Sequence, residues 1–346
     1  MVKRNVNLDI IRIIAVFMVV SVHVGQYAGF DFGVGARGVQ LFFIVSGYLA
    51  FSKLSKDGSV THYYINRFGR IFPTYEFCLL LIFLYTISRT LVYGESIKDL
   101  FANGQCGLRF LRYVFGVQCF IPSSDWNMWN NYMALWTISS FIGFYLVAPF
   151  LYKIMKQFYS ALIILVLTMT LTPIAIVCFE KLFAYYPETA HIEWYASMNP
   201  LTELYCFLIG SAMFVAISEN KQGIFSITII VTLIVTQFRI YPYEFASALM
   251  VLAAVSFEPV VHNNGICKIL RSMSECSFTL YLLQAAILEG VNVIWNRFCG
   301  DGHVVLFSIV LYSSCIMISY VVYHFVIRNL NFNNSRSSGT QDKEHD

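Results

Sequence analysis

The stretch that decides the fold is Leu8 to Val24, LDIIRIIAVFMVVSVHV. It is apolar almost throughout, and it approaches the roughly 20 residues that a helix needs to cross a bilayer. Asp9, Arg12 and His23 interrupt it. A charged side chain at the centre of a membrane helix costs about 3 kcal/mol, so an intramembrane cation and a titratable base mark a functional candidate. Eleven residue steps at about 100° each make about three turns. Arg12 and His23 therefore fall on one helix face, about 16 Å apart along the axis. Asp9, three residues before Arg12, is placed to pair with it.

The rest of the chain repeats the theme. Hydrophobic residues make up 58% and charged residues 12%, which excludes an ordinary soluble domain. Ten candidate spans follow one another: 8–24, 39–54, 72–91, 132–151, 161–179, 201–217, 224–238, 245–261, 278–295 and 304–327. The expected architecture is all-α and polytopic, with one transmembrane domain over 1–330. A polar, disordered tail over 331–346 is expected to follow it. Asp9, Arg12 and His23 in the first apolar run, with no small-residue cleavage site after it, argue against a cleaved signal peptide.

With the N-terminus inside, the inner loops carry Lys53, Lys56, Arg67, Arg70, Lys153, Lys156, Lys221, Lys268 and Arg271. The outer loops carry Arg37, Lys98, Arg109, Arg112, Lys181, Arg239 and Arg297. Counting both termini, the bias is about two to one and places both termini in the cytoplasm. The net charge of +3 follows from that loop bias and gives no reason to expect nucleic-acid binding.

The nine cysteines show no metal-ligand spacing, and no metal is expected. Cys106 and Cys119 share the longest outer loop, 92–131, where a disulfide is conceivable. That loop also holds Trp126 and Trp129, and a second outer loop, 180–200, is acidic and aromatic. Such rings serve as an interfacial belt or as a platform for sugar rings. The segment 110–120 is too short to span and is expected to lie in the interface or re-enter.

Two further segments carry detail. In the second span, Ser46 and Gly47 permit close helix packing. The inner loop after it reads YYINRFGRIFP, residues 63–73. Arg67 and Arg70, three apart, fall on neighbouring helical positions, and two guanidiniums at a membrane surface suit a phosphate. Ordinary positive-inside charge explains them too. Pro73 suits the first turn of the next helix.

Together these segments resemble the acyltransferase-3 family of bacterial membrane acyltransferases. Asn7 to Arg12 followed by His23, Gly38 to Leu49, and Arg67-x-x-Arg70-x-x-Pro73 match its motifs in order. Trp136 with Phe144, Tyr145, Leu146 and Pro149, and Pro200 with Phe207, Leu208 and Gly210, resemble later ones. Departures stand at Phe141, where many members have Glu, and at Gln284, where they often have His. Glu203 stands in place of a usual Arg, and the last span lacks the Glu-x-Pro ending.

The resemblance implies a multi-pass protein of the bacterial inner membrane. Its activity would be transfer of an acetyl group from cytoplasmic acetyl-CoA to a hydroxyl of a surface glycan. That acceptor would be an O-antigen or capsule repeat, possibly lipid-linked. Arg67 and Arg70 would hold the donor's phosphates, and His23 would be the base, with Arg12 and Asp9 orienting the donor. Trp126, Trp129, Trp136 and Glu203 are candidates for contacting the acceptor. Glu289 is a further intramembrane carboxylate, and His324 is expected to snorkel to the inner surface. Transfer of succinyl or another acyl group, and transport of a lipid-linked glycan, are the alternatives.

Overall fold

The structure, a computed structural model, describes residues 5–57, 59–94, 96, 108–120, 135–185, 192–237, 239, 241–299 and 303–329. These residues are helical apart from short connections. In chain order the helices are α1 (Val6–Ala28), α2 (Gly38–Asp57), α3 (Val60–Val92), α4 (Leu108–Val114), α5 (Trp136–Ile154) and α6 (Phe158–Phe183). Then come α7 (Ile192–Ser197), α8 (Leu204–Ser218), α9 (Gln222–Val235), α10 (Pro242–Ser256), α11 (Asn264–Phe298) and α12 (Val304–Val322). A 3-10 segment, Gly33–Arg37, precedes α2, and a π turn, Tyr323–Ile327, ends α12.

Seven of the described segments are long and apolar enough to cross a membrane: α1, α2 with its 3-10 lead-in, α3, α5, α6, α11 and α12 with its π turn. Three shorter apolar helices, α8, α9 and α10, occupy the places of the remaining expected spans. The tail from 331 and the loop residues Cys106, Trp126 and Trp129 lie outside the described residues.

Two helices run longer than the apolar pattern predicted. The third begins at Val60, capped by Ser59, whose hydroxyl accepts from the His62 N–H at 3.3 Å. Pro73 is therefore inside the helix, not in its first turn. A proline ring clashes with the carbonyl four residues back. Here that residue is Gly69, with open space where a Cβ would stand, so the backbone has room to adjust. Likewise α11 starts at Asn263, whose side chain caps the Gly265 and Ile266 N–H groups.

Packing is closest where side chains are smallest. A Cβ on Gly47 would come within 1.9 Å of the Phe207 carbonyl oxygen, and one on Gly210 within 1.9 Å of the Ile44 oxygen. The backbones of α2 and α8 thus touch, as small residues allow between membrane helices. Around this crossing, Phe207 stacks on Phe43 at 4.4 Å and on Phe144 of α5 at 4.3 Å.

The chain entering α2 folds back along α1. Gly29 ends α1 in the left-handed region, φ 80°, where glycine meets no Cβ penalty. Gly35 then lies against Met18 and Val22, and Gly38 against Ala15 and Val19. Helix α2 therefore begins beside the middle of α1, not beside its end.

Candidate functional site

The orientation of α1 follows from what each face touches. Asp9 accepts a hydrogen bond from Ser274 Oγ of α11 at 2.7 Å. Tyr27 lies close enough to Glu289, further along α11, to feel its charge. Order is the same in both helices, so α1 and α11 run parallel. On a helical wheel centred on Arg12, Asp9 and Tyr27 both lie at about +60°, the α11 side. Ala15 and Val22, against the entry to α2, lie at about −60° and −80°. His23 lies at about +20°. The Arg12 and His23 side chains thus point into the seam between α2 and α11, separated by the buried Val16 and Val19.

The two ends of this stripe differ in their bonding. Asn7 is buried, and its amide donates to the carbonyls of Ala254 (3.1 Å), Phe257 (3.3 Å) and Glu258 (3.2 Å). Its Oδ1 accepts from the Val260 N–H at 3.0 Å. It clamps the exit of α10 onto the start of α1. Asp9, 2% exposed, is a further structural tie through Ser274. The expected role of steering Arg12 is therefore joined by a second one, holding α1 to α11.

At the other end, His23 is half-buried, and its Nδ1 lies 3.2 Å from Gln26 Oε1. In the Nδ1–H tautomer the ring donates to that amide oxygen, and Nε2 carries the basic lone pair.

Beyond His23 lies a group of residues that the sequence reading only half anticipated. Arg89 of α3 pairs with Glu289 of α11 at 3.0 Å. The Tyr85 hydroxyl is in hydrogen-bonding contact with Glu289, Tyr27 is close to both charges, and Arg89 lies 5.5 Å from the Tyr93 ring. Arg89 was hidden inside an expected span. An arginine and a glutamate in two otherwise apolar segments were the signal that the pair exists.

Depth can be read from residue rise. His23 is four residues back from Tyr27, about 6 Å, and Gln284 is five back from Glu289, about 7.5 Å. The two therefore sit at similar depth. Gln284 is fully buried, and neither its Oε1 nor its Nε2 has a hydrogen-bond partner among the described residues.

Arg67 and Arg70 are both on α3, but the structure separates their surroundings. Arg67 Nη2 donates to the Leu49 carbonyl at 2.6 Å, and its guanidinium lies against the rings of Tyr63 (5.7 Å) and Tyr145 (5.4 Å). Its Nε is buried with no hydrogen-bond partner among the described residues. Arg70 is exposed. One guanidinium is preset and the other free to swing.

Glu203 is not a solvated residue at the mouth of its span: it is 8% exposed, immediately before α8. Arg37 pairs with Glu244 at 3.4 Å, and the Tyr205 hydroxyl donates to the same Glu244 oxygen at 3.3 Å. Cys206 Sγ lies 3.7 Å from Glu203 Oε2. Burial has a local cause, because the 3-10 segment carries Arg37 down beside α1 and closes over this corner.

Trp136 opens α5 and packs edge-on against Phe43 at 5.9 Å, which makes it part of the helix packing. The segment 113–120 tucks against α5, with Ser139 Oγ donating to Gly116 O at 2.8 Å and accepting from the Cys119 N–H at 3.2 Å. Cys119 is a buried free thiol, so the conceivable disulfide is not formed at that residue. His324 does not snorkel freely, because its Nε2 meets Ser272 Oγ at 2.9 Å. No cluster of three metal-ligating side chains occurs among the described residues.

A polytopic helical bundle whose first helix carries this stripe defines an integral-membrane protein with a site built inside its helices. Residues 5–324 match the family model described as an acyltransferase domain, and the chain belongs to the acyltransferase-3 family. No curated protein and no solved structure matches it.

Proposed function

We propose that the protein is an O-acyltransferase that moves an acetyl group from cytoplasmic acetyl-CoA to a hydroxyl of a surface glycan. It would work as a ten-span protein of the bacterial inner membrane, with both termini in the cytoplasm. The observation that carries this reading is the Arg12–His23 stripe on the side of α1 between α2 and α11, with His23 Nδ1 3.2 Å from Gln26 Oε1.

The chemistry balances as follows. The acceptor hydroxyl oxygen attacks the thioester carbonyl carbon as His23 Nε2 takes the hydroxyl proton. A C–O bond forms, the C–S bond breaks, and the thiolate leaves with the proton returned from His23. Arg12, toward the opposite end of the stripe, attracts the donor's negative charge. Arg67 fits a phosphate, because its unpartnered Nε supplies a buried donor that an anionic oxygen would satisfy. Arg70 adds a second, mobile guanidinium. Gln284, at the depth of His23 and with both amide atoms unpartnered, suits the amide groups of a slim, extended arm. At the far end, Arg89, Glu289 and the tyrosines around them offer charged and aromatic partners for a sugar. Trp126, Trp129, Trp136 and Glu203 stay candidates for acceptor contact.

The test is NMR and mass spectrometry of the surface glycan from cells with the wild-type gene, with His23→Ala, and without the gene. Acetyl esters present only with wild type support the reading. Unchanged acetylation in all three sinks it. A glycan missing from the surface without the gene would favour a transporter, and a larger acyl mass would favour succinyl or another group.

A further inference from the structure

A small apolar cavity lies among α2, α5 and α11, lined by Val39, Phe42, Phe43, Thr137, Phe141, Phe278 and Tyr281. It belongs to the same seam as the Arg12–His23 stripe. Val39 follows Gly38, which packs directly on Ala15 and Val19 of α1. Tyr281 is eight residues back from Glu289, about 12 Å in depth, and Phe278 about 16 Å. His23 stands about 6 Å back from the same level and Arg12 about 22 Å. The cavity therefore opens between the depth of Arg12 and the depth of His23, on the side to which both point.

We infer that this cavity receives the acyl chain of the donor and sets its maximum length. This rests on the acyl-CoA reading above. Three observations favour an acyl chain over other occupants. The wall is aromatic and aliphatic, and the Tyr281 hydroxyl is turned to Thr137 in a hydrogen bond, so its polar atom is already satisfied. The enclosed space is small, on the scale of one or two water molecules, so it suits a short chain. A thioester carbonyl held at the depth of His23 would direct its chain back along the seam into this space. Two of the larger wall residues, Phe141 and Phe278, are only half-buried, so they can be truncated with less damage to the bundle than Phe43.

The experiment uses the full-length protein in detergent or nanodiscs, with acetyl-, butyryl- and hexanoyl-CoA as separate donors and the glycan acceptor. The ratio of hexanoyl to acetyl transfer is read by mass spectrometry for wild type, Phe141→Ala and Phe278→Ala. Wild type is expected to favour acetyl. Each truncation is expected to raise the hexanoyl-to-acetyl ratio at least tenfold, the scale of a methylene or more in an apolar pocket. Because the ratio is internal to each preparation, a loss of folded protein does not imitate the result. The pocket is overturned if wild type transfers acetyl and both variants keep its chain-length ratio. The acyl-CoA reading fails, and the pocket with it, if wild type transfers none of the three chains.

Discussion

The two ends of α1 carry similar residue types and use them differently. At the start, Asn7 and Asp9 are buried and bonded to α10, the segment after it, and α11. At the end, the half-buried His23 has a contact three residues away on its own helix. A polar group whose partners lie more than two hundred residues away is holding elements together. One whose hydrogen-bond partner among the described residues lies on its own helix is not tying elements together, and is the candidate to react.

Substitutions along the helix test this contrast. The largest effect is expected at His23→Ala, with transfer falling by about 10²- to 10⁴-fold, the usual worth of a general base, and no change in the detergent melting curve. Next comes Asn7→Ala. It removes the partner of the Val260 N–H and of the Phe257 and Glu258 carbonyls at once, while Ala254 keeps Asn5, so stability should fall by on the order of 3 kcal/mol. Thermal unfolding in detergent should show it, and an unchanged curve would mean that Asn7 is not the clamp described.

Arg67→Lys keeps the charge but loses the planar fork. It should raise the donor KM about tenfold with kcat little altered. A fall in kcat alone would place Arg67 in the chemical step. Glu289→Gln leaves Arg89 without its carboxylate and should raise the acceptor KM several-fold, on the scale of a charge-assisted bond, with the donor KM unmoved. Arg70→Ala, an exposed residue, should give the smallest change, a donor KM shift of about twofold, larger at low salt than at high salt.

Seven of the expected spans were legible as membrane-length helices because length and apolarity are local properties of the chain. The register of Arg12 and His23 was legible because helical periodicity is fixed. What escaped depended on which helices meet. Nothing local distinguishes Glu203 at the mouth of a span from Glu203 sealed under Arg37 and Glu244; the difference is the backtracking of 33–37 along α1. Pro73 reads as a helix start in isolation, yet it sits inside a helix that begins at Val60. Arg89 became meaningful once Glu289 was found opposite it. Likewise, Phe141 and Gln284 look like departures in a motif, yet one lines the cavity and the other is a buried amide without a hydrogen-bond partner among the described residues.

The close approach of Gly47 to Phe207 and of Gly210 to Ile44 has a consequence for a protein set in a membrane that carries a proton gradient. Two helices whose backbones touch leave no width for a file of water between them. A proton cannot hop where no water chain forms, so the α2–α8 contact acts as electrical insulation. The proposed catalytic seam beside α2 would then hold polar groups without a leak developing behind it.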